Sequence, residues 1–186
     1  VDGAGVRKVP QQELRAKIGY VPQKGVLFSG TVESNLKYGN RELSDDEMKK
    51  AAAIAQATDF IEAKPDAYDE EISQGGTNVS GGQKQRLSIA RAIAVRPEIY
   101  IFDDSFSALD YKTDVALRKA LKAETSESTV LIVAQRISTI LHAEQILVLD
   151  EGKIVARGTH QELLKTCDVY KQIALSQLSK EELDNE

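Results

Sequence analysis

Residues 79–86 read Val-Ser-Gly-Gly-Gln-Lys-Gln-Arg, and this stretch restricts the fold more than any other in the chain. The turn Ser80-Gly81-Gly82 runs straight into a helical, amphipathic segment. Leu87, Ile89, Ala90, Ile93 and Ala94 supply a broad apolar face that ends before Pro97. A turn of this kind leaves several backbone N–H groups and a hydroxyl at the positive end of a helix, and its glycines let a ligand approach the backbone closely. It is an anion site suited to phosphate. Shortly afterwards comes Ile99-Tyr100-Ile101-Phe102-Asp103-Asp104, a continuous apolar strand that ends in two carboxylates. Such a run is expected in a parallel sheet buried on both faces. A phosphate-reading helix start beside a strand end able to hold a metal points to nucleotide chemistry.

The remaining chain fits an α/β protein. Its 186 residues are 41% hydrophobic and 28% charged, enough for a core. A net charge of −5 argues against nucleic acid as a partner. One cysteine, Cys167, excludes an internal disulfide and reads as an inert side chain on a late helix. No apolar run approaches the roughly 20 residues that span a bilayer. Strand patterns fall at 18–21, 99–102 and 129–134, the last again expected to be buried, with a hairpin of 145–149 and 153–156 around Asp150-Glu151-Gly152. Thr31, Ser44, Asp110 and Thr159 are candidate helix caps. Behind Asp110, Val115, Leu117, Ala120 and Leu121 are expected to face inward. Residues 40–95 read as an inserted helical subdomain, residues 1–39 and 96–166 as the α/β core, and residues 167–186 as a C-terminal helix and frayed tail. Val1-Asp2-Gly3 reads as the end of a strand.

Taken in order, these segments resemble the nucleotide-binding domain of ABC transporters of the exporter type. Tyr20-Val21-Pro22-Gln23 is similar to the Q-loop, and Leu27 to Leu36 continues in the exporter manner. Val79 to Gln83 is similar to the signature motif, with Val in place of Leu. Ile99 to Asp103 resembles Walker B, Ser107-Ala108-Leu109-Asp110 the D-loop, Val130 to Arg136 the switch strand and H-loop, and Gly158 to Leu163 the segment that follows. The resemblance implies a RecA-like core with a mainly parallel sheet and an inserted helical signature subdomain. It implies two such domains head to tail, with ATP between the Walker motifs of one and the signature of the other. Ser80, Gly81, Gly82 and Gln83 would then meet the partner's ATP. Asp103 and Gln23 would hold Mg2+, with Gln23 also sensing the γ-phosphate and linking it to the coupling helices of a transmembrane domain. Asp110 would cross the dimer interface. The implied location is the cytoplasmic face of the membrane, in a bacterial transporter.

Three departures narrow the expectation. No G-x-x-x-x-G-K-[ST] phosphate loop occurs in the sequence, and Gly3 to Lys8 lacks both the preceding strand and the closing Ser or Thr. The chain is therefore expected to be a fragment lacking the P-loop and the strands before it, and to bind ATP weakly alone. Asp104 stands where the family has the glutamate that polarises water. Its carboxylate falls about an ångström short, a displacement that can cost on the order of 10²-fold in rate. Gln135 stands where the switch histidine belongs, and its amide cannot become cationic. Gln74 replaces a common exporter glutamate before the signature. Asp104 and Gln135 would serve one ATP site as its catalytic pair, while the intact signature serves the other. That asymmetry resembles the degenerate-site subunit of a heterodimeric multidrug exporter. A symmetric homodimer using Asp104 as base, a non-transport ABC ATPase and a module used only for dimerisation are the alternatives. His142 and His160 read as structural, Lys84 and Arg86 as facing solvent or acidic neighbours, and Thr77-Asn78 as neighbours of the partner's nucleotide.

Overall fold

The computed structural model describes residues 3–178; Val1, Asp2 and the tail from Lys180 discussed above lie outside the described residues. Two compact units are present, one up to Val133 and one from Ala134.

The first unit begins with α1 (Gln11–Ala16), entered from Pro10, and β1 (Ile18–Val21). The short β2 (Gly30–Thr31) leads into α2 (Val32–Leu36). There the Thr31 hydroxyl accepts from the Ser34 amide at 3.0 Å, and the Ser34 hydroxyl accepts from the Thr31 amide at 2.8 Å. Next comes α3 (Asp45–Ile54), started by the same reciprocal device between Ser44 and Glu47, with Asp45, Asp46 and Glu47 complementing its positive end. After α4 (Thr58–Glu62) the chain forms β3 (Glu71–Ile72), which pairs antiparallel with β2. The long α5 (Gly81–Ala94) returns the chain to β4 (Ile99–Asp103), and α6 (Tyr111–Glu124) carries it to β5 (Thr129–Val133).

Strands β1, β4 and β5 make one parallel sheet in that order, with Val21 opposite Phe102 and Asp103 opposite Val133. This is the α/β architecture with a parallel sheet and a helical stretch inserted between β1 and β4. Leu36, Ile61, Leu87, Ile89, Phe102 and Leu117 lie in its core, essentially without solvent contact. Three expectations about burial are corrected. β5 is an edge strand, and Leu131 and Val133 are about half exposed (49% and 50%) because no further strand among the described residues pairs with it. In β4 only Tyr100 and Phe102 are fully buried, with Ile99 and Ile101 intermediate. Val115 of α6 is 42% exposed, since the inward face of that helix is Asp114, Leu117 and Leu121.

The second unit contains α7 (Ile137–Ile140) and a hairpin of β6 (Ile146–Asp150) and β7 (Lys153–Gly158). Glu151 and Gly152 both have positive φ (46° and 76°), as a two-residue hairpin turn between right-twisted strands requires. Thr159 caps α8 (His160–Thr166), which is followed by α9 (Asp168–Gln177). Cys167 lies between these helices, where its Sγ accepts from the Tyr170 amide at 3.5 Å. Ile137, Ile146, Val148, Leu163, Tyr170 and Ala174 form a separate core. His160 is buried with its Nδ1 2.7 Å from the Tyr170 hydroxyl, and burial pushes that phenol up to about 12.

Replacing Leu87 by Ala is expected to lower stability by about 2–5 kcal/mol through lost burial and a residual cavity. Val115→Ala should stay within about 0.5 kcal/mol. Urea unfolding of the two variants checks the assigned faces.

Candidate functional site

In open α/β sheets the chain turns away from the sheet at the carboxyl ends of parallel strands and leaves a crevice there. Val21 and Phe102 are register partners, so two residues further on Gln23 and Asp104 come level. Gln23 Nε2 donates to Asp104 Oδ2 at 3.1 Å. Asp103 Oδ2 accepts from the Tyr20 hydroxyl at 3.2 Å. Desolvation first, and then the hydrogen bond to Asp103 and its charge, raise the Tyr20 phenol above its ordinary range. The backbone beneath is firmly held. The Asp104 amide donates to the Val133 carbonyl at 2.8 Å, the buried Ser105 hydroxyl to the Val21 carbonyl at 2.9 Å, and the Ser107 hydroxyl to the Asp104 carbonyl at 2.9 Å. Asp104 sits at φ 45°, the left-handed region that non-glycine residues seldom occupy. The cluster gathers hard oxygen donors, two carboxylates and an amide carbonyl.

The second cluster is the start of α5. Ser80 is its N-cap; its hydroxyl accepts from the Gln83 amide at 3.2 Å, and Gln83 Oε1 accepts from the Ser80 amide at 3.0 Å. A Cβ on Gly81 would meet nothing within 4 Å, so packing inside the chain does not require glycine there. The preceding loop is tied down by Lys84 Nζ, which donates to the Gly75 carbonyl at 2.7 Å, and by Asn78, whose amide accepts from the Ser73 N–H and donates to the Glu71 carbonyl. Lys84 thus holds a carbonyl rather than an acid. Arg86 likewise donates to the Gln56 carbonyl at 2.7 Å and stacks over Phe60, 4.6 Å from the ring centre; burial lowers its pKa against the pull of Asp110 and Asp59.

Asp110 is the N-cap of α6, accepting from the Thr113 hydroxyl at 2.7 Å and the Thr113 amide at 3.0 Å. These bonds, the hydroxyl first, hold its carboxyl below the usual carboxylate range. Gln135 belongs to the second unit, where its backbone carbonyl accepts from Gln177 Nε2 at 2.8 Å. The sequence-derived residues therefore fall into groups: Gln23, Asp103 and Asp104 at the strand ends, Ser80 to Gln83 at the helix start, Asp110 at the next cap, and Gln135 in the other unit. Two neighbours escaped the sequence reading. Tyr20 stood in the Q-loop stretch with no role of its own, yet its hydroxyl reaches Asp103. Gln85 is 2% exposed and bonds to the Gln23 loop, and its only signal was a polar residue on the inward helix face shared with Ser88 and Ala92.

Comparison with known proteins identifies the family and the fold. A model of the ABC transporter family matches residues 1–107. The ABC transporter ATP-binding protein Rv1273c of Mycobacterium tuberculosis is 46% identical over 180 residues, 95% of this chain and 31% of the relative. A Staphylococcus aureus protein named for multidrug export, with ATP-binding and permease parts, is 42% identical over 93% of this chain and 30% of its own length. Among solved structures, a bacterial Atm1-family ABC exporter with ATP bound superposes with a TM-score of 0.90 at 40% identity, over 92% of this chain and 30% of that one. The chain belongs to the ABC transporter family and has the RecA-like fold with a helical signature subdomain found in its ATP-binding domains. It spans about a third of the length of these relatives.

Two outcomes test the site's local physics. Ser80→Ala should cost about 1 kcal/mol in urea unfolding by loss of the cap. The Asp110 carboxyl titrates lower folded than unfolded, so its contribution is complete above the unfolded value near 3.8 and is lost as pH falls through the folded value. Asp110→Asn keeps an acceptor but removes that titration. Its urea midpoint should fall less than that of the parent between about pH 5 and pH 3.

Proposed function

We propose that this chain is the ATP-binding part of an ABC exporter subunit whose own half-site is poorly equipped for hydrolysis. It supplies a competent signature to the ATP of a second, non-identical nucleotide-binding domain. The observation that carries the reading is the contrast between the two clusters. The signature helix start is complete, with Ser80 and Gln83 in reciprocal cap bonds and Gly81 open to an approaching ligand. The strand-end cluster instead has the shorter Asp104, and Gln135 takes the switch position. In this reading residues 40–95 are the arm that presents Ser80 to Gln83.

The donor set fits Mg2+, which takes one or two carboxylates and completes its shell with water and phosphate oxygens. Asp103 and Gln23 would hold it, and among the described residues no group of three His, Cys, Asp or Glu could hold an ion unaided. The bound ion would neutralise phosphate charge. Gln23 then orients the Asp104 carboxylate through the bond they already share, and Asp110 reaches toward the partner domain from a cap that fixes its backbone. Beside the Gln23 loop, Val26, Phe28 and Tyr38 expose apolar surface, and the two rings stack with centres 4.3 Å apart; this face suits the coupling helices of a transmembrane domain. No described helix is long and apolar enough to cross a membrane. The exporter relatives support a place for this chain on the cytoplasmic face of a membrane transporter. Efflux of drugs or lipids is the function this assembly serves.

Restoring the family residues tests the reading. With the partner's site inactivated, Asp104→Glu combined with Gln135→His in the full-length transporter should raise ATP hydrolysis at least about tenfold. Single-site turnover that stays flat would sink the degenerate-site reading.

A further inference from the structure

The loop that carries Gln23 lies against α5 through one buried side chain. Gln85 Nε2 donates to the Pro22 carbonyl at 3.1 Å, and Gln85 Oε1 accepts from the Gly25 amide at 2.8 Å. Both ends of the amide are used, and both partners are backbone, so the two bonds bracket Gln23 on either side. The fit is close. A Cβ on Gly25 would stand 2.9 Å from the Lys84 carbonyl oxygen, 2.9 Å from Ser88 Oγ and 3.0 Å from Gln85 Oε1, so the loop backbone rests directly on the helix. One residue further, the Val26 carbonyl accepts from Arg91 Nη2 at 2.8 Å. A polar side chain this deeply buried is retained only with its bonds made, and removing it would strand a backbone donor and an acceptor. Gln85 lies five residues from Ser80, about 7 Å along a single helix that begins with the signature.

We propose that Gln85 is a positioning residue that makes the Gln23 loop of this half-site and the signature turn serving the partner's half-site move as one body. The proposal rests on the roles assigned above to Gln23 and Ser80. A displacement of Gln23 toward or away from a nucleotide shifts Pro22 and Gly25, and both shifts are passed through one planar amide to α5. The helix transmits them to Ser80, Gly81 and Gly82. Occupancy of the weakly hydrolysing site thereby sets the geometry offered to the other site, with no residue of either nucleotide contact needed between them.

The full-length protein with its partner subunit provides the test, with Mg-ATP as the probe. Hydrogen exchange across residues 22–26 reads the clamp, and steady-state hydrolysis reads its consequence. Gln85→Leu removes both bonds with little change in volume. Gly25→Ala lifts the loop from the opposite side and serves if the first variant fails to fold. Each should speed exchange of residues 22–26 about tenfold. Each should also lower kcat about tenfold, while KM for ATP stays within about twofold because uniform binding is untouched. Gln85→Leu combined with Gln23→Ala should be no slower than the slower single variant, since both cut one link. Multiplying effects, a raised KM at unchanged kcat, or unaltered exchange in both single variants would overturn the coupling. If Gln23→Ala alone leaves turnover unchanged, the role given to Gln23 fails; exchange at residues 22–26 then decides the clamp by itself.

Discussion

Burial of one face of α5 is the interaction on which the first unit depends. Leu87, Ile89, Ala90 and Ile93 are almost wholly removed from water, and the helix packs against α2, α3 and β1. Apolar burial on this scale is the main term that stabilises a fold, and it is indifferent to direction. Direction comes from polar contacts along the same helix: the Ser80 cap at its start, Arg86 on the Gln56 carbonyl, Gln85 on the Gln23 loop and Arg91 on Val26. One element therefore closes the core and also fixes where the two candidate clusters stand. A substitution on its inward face would disturb both at once.

Much of the fold could be read from residue chemistry. The caps at Thr31, Ser44, Asp110 and Thr159 were legible because a short acceptor side chain ahead of an amphipathic run satisfies amides that nothing else in a helix can reach. The strands at 18–21 and 99–102, the latter observed one residue longer, and the hairpin around Glu151-Gly152 were legible from apolar runs and turn residues. Burial was less so. The run Val130-Leu131-Ile132-Val133 has the composition of a central strand, yet it forms an edge, because a sequence pattern states what a strand can bury and not whether a neighbour is present. The site divided in the same way. Gln23, Asp103 and Asp104 carried motif signals and stand together. Gln85 and Tyr20 lie inside motif stretches but carried no sign of their bonds, since a spacing of residue types does not state which backbone groups will face a buried amide or a phenol.

Arg86 shows how far tertiary context can redirect a charged side chain. Sequence places it on the polar side of the signature helix. The fold withdraws it to a carbonyl at Gln56 and the face of Phe60, where its charge is partly desolvated. Gln56 itself has positive φ (57°), directly after α3. Arg86 thus fastens the end of one helix to the flank of another and is lost as a surface cation.

The backbone at Asp104 gives the identity of that residue a second meaning. Left-handed geometry penalises most side chains, and short ones that can bond locally, Asp and Asn above all, bear it best. At φ 45°, held by the Val133 carbonyl below and the Ser107 hydroxyl beside it, an aspartate fits more comfortably than the longer glutamate that hydrolysis favours. Position 104 is a point where conformational ease and side-chain reach are exchanged for one another.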